Sequence, residues 1–308
     1  MPELPEVETI ARGLNKRVAG DVIDSVWLGE KPEPLKSPAT EIASVLEHSR
    51  IAHVRRVGKH IVFDLERSGT HVSKSARRGA PRRGTPAASK TPGAPGLAGS
   101  ETQVRGQWIV HLGMTGQLLI ASPDMEVEKH THAVLKLASG RELRFVDPRR
   151  FGRLAVVRLG AQDSSGFVAP GDEPLDAQID RFIALFLHRD TPIKSALLNQ
   201  KLLSGVGNIY ADESLFRAGI RPRRRAASLT RAELQRLHAS LGEVLREAIK
   251  LGGSSISDYV DAEGREGFFQ LQHRVYGREG QPCLVCRTPI KRVIIAGRSS
   301  HYCPHCQK

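Results

Sequence analysis

The four cysteines place the tightest limit on what this chain can fold into. All of them lie in the last 26 residues, in the pattern C-x2-C-x16-C-x2-C: Cys283, Cys286, Cys303 and Cys306. This is the spacing of a four-thiolate zinc site, and each short pair can sit on a tight turn that points both sulfurs at one metal. Two disulfides are the alternative, which a reducing compartment disfavours. We predict one structural Zn²⁺, with His301 and His305 outside its ligand set.

The balance of charge indicates the kind of partner. Lysine and arginine number 46 against 33 acidic residues, a formal net charge of +13. Such an excess favours a polyanionic partner, most often nucleic acid. The chain has no apolar run long enough for a membrane helix, and its N-terminus lacks the apolar segment of a signal peptide. We therefore expect a cytoplasmic protein with no membrane partner.

The first half of the chain has the patterning of a β domain. The runs KHIVFDLE and GRLAVVRL are rich in strand-forming residues. In HAVLKLASGRELRFVD, apolar residues alternate with polar ones on both sides of Ser139-Gly140, which is typical of a hairpin. Residues 1–160 are therefore predicted to form a two-layer β-sandwich with one N-terminal helix.

Helical patterns follow a linker assigned to residues 161–178. A long amphipathic stretch begins with a capping box, Thr230 to Glu233, and stops at Gly252-Gly253. Thr191-Pro192 predicts another helix start, with Thr191 as its N-cap. We expect a helical domain over residues 179–268 and a zinc module over residues 269–308. The predicted fold class is α+β.

Residues 67–105 differ from both domains. They contain no aromatic residue, and eight basic residues against one acidic residue give them a charge of +7, just over half of the chain's +13. Such a segment cannot bury enough apolar surface to offset the cost of ordering. We predict a disordered insertion. It is either a tethered polycation that strengthens non-specific DNA binding or an inert surface loop.

The opening MPELPEVETI supports two interpretations. Removal of Met1 would leave Pro2 with a free secondary amine, a potential nucleophile that can form a Schiff base with a carbonyl carbon. The alternative is an ordinary helix start, with Pro5 in the first turn and Glu6 and Glu8 near the positive end of the helix dipole.

Two internal stretches have the composition of a DNA-binding surface. In LLNQKLLSGVGNIYADESLF, glycine turns join two helical runs, and the amides that begin the second run can receive a phosphate. Lys194 and Asn208 flank these turns, although an ordinary helical core would explain the glycines equally well. In DPRRFGR, Arg149 beside Phe151 can wedge into a base stack or be simple surface charge. HLGMTG puts Met114 on a turn, where it is either an exposed apolar group or part of the core.

These motifs, taken in order, resemble those of bacterial formamidopyrimidine-DNA glycosylases. The resemblance includes PELPEVET, HLGMTG, DPRRFGR, GVGNIYADE and the cysteine-rich end, and it extends over almost the whole chain apart from the insertion. It implies a β-sandwich, a helix–two-turns–helix domain and a zinc finger. It also implies a monomeric glycosylase and AP lyase that removes oxidised purines, chiefly 8-oxoguanine, from damaged double-stranded DNA in the bacterial cytoplasm, where DNA associates it with the nucleoid.

The resemblance assigns catalytic roles to four residues. It makes Pro2 the nucleophile that attacks C1′ of the damaged nucleoside and Glu3 the proton donor. Lys59, which the pattern alone would leave as a surface strand lysine, matches the proton donor of β-elimination. Arg298, between the two cysteine pairs, matches the δ-elimination residue.

Further positions match residues that bind DNA in the family. Met114, Arg149 and Phe151 match the triad that fills the space left by a flipped nucleotide. DNA contacts are implied for His130, Arg149 and Arg189. Glu6 matches a pocket residue of the family, while its role beside the helix dipole stays open.

Two other functions compete with this one. An endonuclease VIII-type enzyme would share the fold and the nucleophile but act on oxidised pyrimidines; PELPEVE and DPRRF favour the purine enzyme. A non-enzymatic zinc-finger DNA-binding protein would explain the charge and the cysteines, but it gives no reason for the Pro2-Glu3 terminus.

Overall fold

The computed structural model describes residues 1–67, 106–160, 166–255 and 259–308. Apart from Arg67, the predicted disordered insertion lies outside these residues. Among the helices in the described ranges, none is long and apolar enough to cross a lipid bilayer.

The first part of the chain is a helix-backed sandwich of two antiparallel sheets. It begins with helix α1 (Leu4–Val18), and helix α2 (Ala39–Leu46) lies between the first two strands. The strands are β1 (Ile23–Leu28), β2 (Ser49–Val57), β3 (His60–Arg67), β4 (Gly106–His111), β5 (Gln117–Ala121), β6 (Thr131–Leu137), β7 (Glu142–Val146) and β8 (Arg153–Arg158). One sheet has the order β1-β6-β7-β5 and the other β2-β3-β4-β8.

A single apolar core joins the two sheets and α1. Phe63 and Trp108 from one sheet and Phe145 from the other are fully buried in it, together with Leu14 of α1. The predicted sandwich with its N-terminal helix is therefore confirmed. The predicted hairpin is present as β6–β7, with Leu135 opposite Leu143.

The turn between β2 and β3 places one functional candidate. Val57 pairs with His60 at the end of the ladder, so only Gly58 and Lys59 form the turn. Gly58 has φ of +60°, in the left-handed region that glycine tolerates best. Lys59 thus lies at a hairpin tip, and its buried side chain rules out the alternative of a surface strand lysine.

Within the described residues, four α-helices form the second part around their own core. They are α3 (Ile179–Phe186), α4 (Ile193–Leu197), α5 (Asn208–Arg217) and α6 (Arg231–Lys250). The capping box predicted for α6 is confirmed, since the Glu233 amide donates to Thr230 Oγ1 at 3.2 Å and the Thr230 amide to the Glu233 carboxylate at 2.8 Å. Leu4 of α1 is fully buried in this core, so the N-terminus is anchored in the helical part.

One predicted helix boundary was wrong by a residue. Helix α4 begins at Ile193, and Pro192, not Thr191, is its N-cap. Thr191 is engaged elsewhere, since its carbonyl accepts a hydrogen bond from the Ala226 amide at 3.0 Å. Backbone pairing with a later segment therefore displaced the start that the local sequence favours.

The end of the chain forms a small hairpin packed on the helices. Strands β9 (Lys291–Ile295) and β10 (Arg298–Tyr302) are joined by a tight turn of Ala296 and Gly297. The Lys308 amide donates to the Gly219 carbonyl at 3.0 Å, which ties the terminus to the end of α5.

Candidate active site

A cavity of about 540 Å³ lies where the sandwich, the helices and the terminal hairpin meet. It gathers six predicted site residues from five separate segments: Pro2, Glu3, Lys59, Met114, Asn208 and Arg298. We call Glu3, Glu6 and Lys59, which line the cavity and are buried, the cavity floor. Met114 also lines the cavity, and the turn that carries it lies against the Phe151 backbone at Gly113. We call the exposed residues Met114, Arg149 and Phe151 the outer rim.

Glu3 is held by the first turn of α5. Its side chain is 4 % exposed, and its two carboxylate oxygens accept hydrogen bonds from the amides of Ile209 at 3.2 Å and Tyr210 at 3.5 Å. Gly207 makes this approach possible, because a Cβ there would overlap the Glu3 carboxyl group. Burial raises the pKa of Glu3 to about 7, against the opposing effects of Lys59 and the two amides.

This arrangement bears on one interpretation of the sequence. The amides that begin α5 could receive a DNA phosphate or belong to an ordinary helical core, and in the structure two of them, those of Ile209 and Tyr210, donate to Glu3. The Ile209 contact joins residues 206 positions apart, which no local pattern reveals. The positive end of the α5 dipole therefore acts on a carboxyl group of the cavity floor.

Glu6 connects the floor to both halves of the molecule. Its carboxylate accepts hydrogen bonds from the Glu3 amide at 2.8 Å, the Ser254 amide at 2.7 Å and the Tyr210 hydroxyl. Burial raises the pKa of Glu6. The role of Glu6 therefore goes beyond a favourable interaction with the helix dipole. Its single carboxyl group links α1, α5 and the segment after α6. Tyr210 and Ser254 were not predicted as site residues, because nothing in the local sequence indicates their hydrogen bonds to Glu6.

Lys59 of the floor and Arg298 both line the cavity, and their charges interact. Burial lowers the pKa of Lys59, and the nearby charge of Arg298 lowers it further, while the carboxylate of Glu3 opposes the change. Arg298 is the first residue of β10 and is exposed. A lysine with a lowered pKa exchanges its proton more readily near neutral pH, which suits it to acid–base catalysis.

The outer rim exposes large apolar side chains. Met114 is 41 % exposed and Phe151 is 53 % exposed, so the alternative of a core methionine is wrong. The Arg149 guanidinium carbon lies 4.9 Å from the centre of the Phe151 ring, a cation–π contact. Exposed apolar groups beside a cation are suited to contact with stacked bases.

A buried aspartate that the sequence analysis missed holds the rim together. Asp147 is fully buried, and one carboxylate oxygen accepts from the Thr115 hydroxyl at 2.6 Å while the other accepts from the Gly152 amide at 2.7 Å. The Met114 turn and the Arg149–Phe151 turn are therefore fixed by the same carboxylate. The sequence feature that could have indicated Asp147 is its position two residues before the paired arginines of DPRRFGR.

The remaining predicted DNA contacts lie outside the cavity. His130 is exposed, and its carbonyl accepts from the Asp147 amide at 2.9 Å. Arg189 is exposed, and its Nε donates to the Leu185 carbonyl at 2.5 Å. Both stay predictions as contacts with DNA.

Lys194 does not fit its predicted role as a phosphate contact. Its side chain is fully buried, with its ammonium 2.7 Å from Asp212 Oδ1 and 2.6 Å from the Ser299 carbonyl. An ammonium so enclosed cannot reach a DNA backbone without unpacking the helices around it. The basic overall composition favoured an exposed lysine here, but a partner on α5 decided its position.

The cysteines form the one metal-binding cluster of four thiols in the described part of the chain. Their sulfurs all lie within 4.8 Å of one another, with Cys286 Sγ 3.4 Å from Cys303 Sγ and Cys283 Sγ 3.9 Å from Cys306 Sγ. A tetrahedron with zinc–sulfur bonds of about 2.3 Å has edges of about 3.8 Å, so the donor set fits zinc. His301 lies apart, with Nδ1 3.3 Å from Asp212 Oδ2.

Three domain families match the chain in order. Residues 1–154 match the formamidopyrimidine-DNA glycosylase N-terminal domain, residues 170–260 its H2TH domain, and residues 280–308 the zinc finger found in FPG and IleRS. The chain is 42 % identical to the formamidopyrimidine-DNA glycosylase of Solibacter usitatus, with all of both chains covered.

Solved structures agree with this match. One is the complex between Lactococcus lactis Fpg and an abasic-site-containing DNA, at 31 % identity and a TM-score of 0.78, with 99 % of each chain covered. Another is the complex of Lactococcus lactis FPG with Fapy-dG-containing DNA, at 30 % identity and a TM-score of 0.78, covering 99 % of this chain and 100 % of that one.

Proposed function

The chain belongs to the formamidopyrimidine-DNA glycosylase family, a family of DNA repair glycosylases, and we propose that it is a bifunctional glycosylase and AP lyase acting on oxidised purines such as 8-oxoguanine and formamidopyrimidines in duplex DNA. One observation carries the proposal. The cavity gathers Pro2, Glu3, Lys59 and Arg298, the four residues with assigned catalytic roles, from segments far apart in sequence.

The first step of the proposed reaction replaces the base by the protein. With Met1 removed, the Pro2 nitrogen attacks C1′, and the base leaves with the electron pair of its glycosidic bond and one proton. The proline nitrogen loses its own proton, which balances the proton that the base takes, and becomes a tertiary amine. The C1′–O4′ bond then breaks, O4′ takes a proton from Glu3, and the nitrogen lone pair forms a C1′ iminium ion. Because burial raises the pKa of Glu3 to about 7, a protonated carboxyl group is available near neutral pH to act as the donor.

The iminium ion then accepts electrons from two eliminations. Loss of a C2′ proton forms the C2′–C3′ double bond, and the 3′ phosphate leaves with the electrons of its bond to C3′. Loss of a C4′ proton, with the electrons shifting towards the iminium, releases the 5′ phosphate in the same way. Lys59 is assigned to proton transfer in the first elimination and Arg298 to the second. Water then hydrolyses the iminium, freeing Pro2 and the unsaturated sugar fragment.

Support for the substrate class comes from the relatives. A Lactococcus lactis relative has been solved with Fapy-dG-containing DNA and with DNA containing an abasic site. These correspond to substrates of the proposed glycosylase and lyase activities, respectively. The rim supports a flipped-nucleotide mode of binding, since Met114, Arg149 and Phe151 offer apolar and cationic surface beside the cavity.

The organisation predicted from the sequence is part of the proposal. We assign residues 1–160 to the catalytic sandwich, 161–178 to a linker, 179–268 to the helical DNA-binding domain and 269–308 to the zinc module. One zinc ion held by the four cysteines would fix the hairpin that carries Arg298. The protein would act as a monomer on DNA of the nucleoid.

Borohydride trapping tests the proposal. Incubation with a duplex containing one 8-oxoguanine·cytosine pair and borohydride is expected to give a covalent protein–DNA adduct at Pro2, because reduction fixes the iminium. Pro2→Gly retains a primary amine and should keep part of the trapping, whereas an acetylated terminus should abolish it. An adduct mapped to Lys59, or none with any oxidised purine, would contradict the proposal.

A further inference from the structure

Lys194 and Asp212 form a buried ion pair that contacts the cavity lining at Ser299. Lys194 lies on α4 and Asp212 on α5, both side chains are fully buried, and 2.7 Å separate the ammonium from the carboxylate. The pair lies near the reacting groups, since the charges of Glu3 and Arg298 both act on the Lys194 ammonium.

The same two side chains hold the strand that begins with Arg298. The Lys194 ammonium donates to the Ser299 carbonyl at 2.6 Å, and Asp212 Oδ2 accepts from the His301 amide at 2.8 Å. These contacts bracket β10 immediately after Arg298. Across the hairpin, Arg298 pairs with Ile295 beside the Ala296-Gly297 turn.

The contribution of such a buried ion pair to the free energy of folding does not by itself explain its presence. Taking two charges out of water costs several kcal/mol for each ion, and well-packed apolar residues often replace a buried pair without loss. The pair does give a fixed geometry, because each charge is also bonded to one defined backbone atom of β10.

We propose that Lys194 and Asp212 are positioning residues for Arg298, fixing the hairpin against α4 and α5 so that the guanidinium reaches the sugar–phosphate during δ-elimination. This inference rests on the proposed function, in which Arg298 serves the second elimination. Neither residue touches DNA in this arrangement, so their effect passes entirely through β10.

The test replaces the pair by apolar residues and follows the products from a pre-formed abasic site. In Lys194→Met/Asp212→Leu, the rate of δ-elimination is expected to fall about 10–100-fold relative to β-elimination, since a misplacement near 1 Å can cost roughly 10²-fold. The β product should accumulate, while borohydride trapping at Pro2 stays within about twofold. Lys250→Met, an exposed lysine at the end of α6, is the matched control and should change neither rate.

Two further measurements separate the competing explanations. A direct phosphate contact by Lys194 would change the slope of log K against log[salt] by about 0.9 in Lys194→Met; an unchanged slope supports positioning, and a changed slope overturns it. Arg298→Ala tests the premise: if it leaves δ-elimination intact, Arg298 has no such role and both ideas fall. If Arg298→Ala blocks δ-elimination but the double variant does not, positioning alone is wrong.

A second variant protects the test against misfolding. Asp212→Asn keeps the shape and can still accept from the His301 amide, but it removes the charge that holds the Lys194 ammonium. If the double variant does not melt cooperatively or loses zinc, Asp212→Asn decides the question: a fall in the δ-to-β ratio with intact trapping supports the proposal, and an unchanged ratio overturns it.

Discussion

The cavity floor and the outer rim depart from ordinary burial in opposite directions. On the floor, two carboxyl groups and an ammonium are buried, although burial penalises charge. On the rim, Met114 and Phe151 expose large apolar surfaces that a folded chain normally buries. The two carboxyl groups of the floor accept hydrogen bonds from inside the protein, whereas the apolar side chains of the rim are left for a partner from outside. Changes on the floor should therefore alter chemistry, and changes on the rim should alter binding.

The largest effect is expected from Glu3→Gln, which tests whether the cavity floor serves the chemistry and not the binding of DNA. Base excision is expected to fall by roughly 10²–10⁴-fold, as for a lost general acid or base, while DNA binding changes little. Cleavage at a pre-formed abasic site should suffer less, because the base is already absent. Single-turnover rates on both substrates measure this difference. Equal losses on the two would instead indicate that Glu3 is only structural.

The next effect comes from removing a wall of the cavity. Cys303→Ser, or chelation of the metal, should reduce both cleavage and DNA binding. The loss should be at least roughly 10–100-fold, which is the typical effect of mutating a residue that hydrogen-bonds to a metal ligand. The sandwich should stay folded, because its core contains no residue of the zinc module. Metal analysis alongside cleavage assays checks this. Active protein free of zinc would refute it.

A smaller effect is expected on the rim, from Phe151→Ala. Losing about 1–2 kcal/mol of apolar contact with DNA should weaken binding roughly 5–30-fold. Stability should change by no more than about 0.5 kcal/mol, because the ring is exposed in the free protein. Titrations on lesion-containing duplex and thermal melting give the two values. Phe151→Leu is the control that keeps an apolar group. A fall in stability with unchanged DNA binding would contradict the assignment of the rim to DNA binding.

The smallest effect concerns stability and pH. The pKa of Glu3 is raised to about 7 in the folded state, from 4.5, so between these values the folded chain holds a proton that the unfolded chain has lost. Stability must therefore fall as pH rises through this window. Glu3→Gln lacks this penalty and should melt a few degrees above the wild type at pH 8. The difference should shrink towards pH 4.5. Melting curves at the two pH values decide; a Gln variant that is less stable at pH 8 would contradict the raised pKa.

The features of this molecule that could be predicted from its sequence are those that depend on residues close together in the chain. The capping box at Thr230, the β6–β7 hairpin and the cysteine spacing each depend on residues close in the chain, and all three are present as predicted. The internal partners of Lys194 and of the Ile209 amide of α5 could not be predicted, for the opposite reason. Their partners, the Ser299 carbonyl and the Glu3 carboxylate, lie 105 and 206 residues away. Periodicity and propensity carry no information about such pairs.

The docking of Glu3 onto α5 also sets an order of events during synthesis. The Ile209 amide leaves the ribosome 206 residues after Glu3, which at about 5–20 residues per second is a delay of roughly 10–40 s. During that interval the Glu3 carboxylate has no helix to bind and stays hydrated, and the residues beside it are open to processing enzymes. The cavity floor is therefore completed late, when most of the polypeptide has already been made.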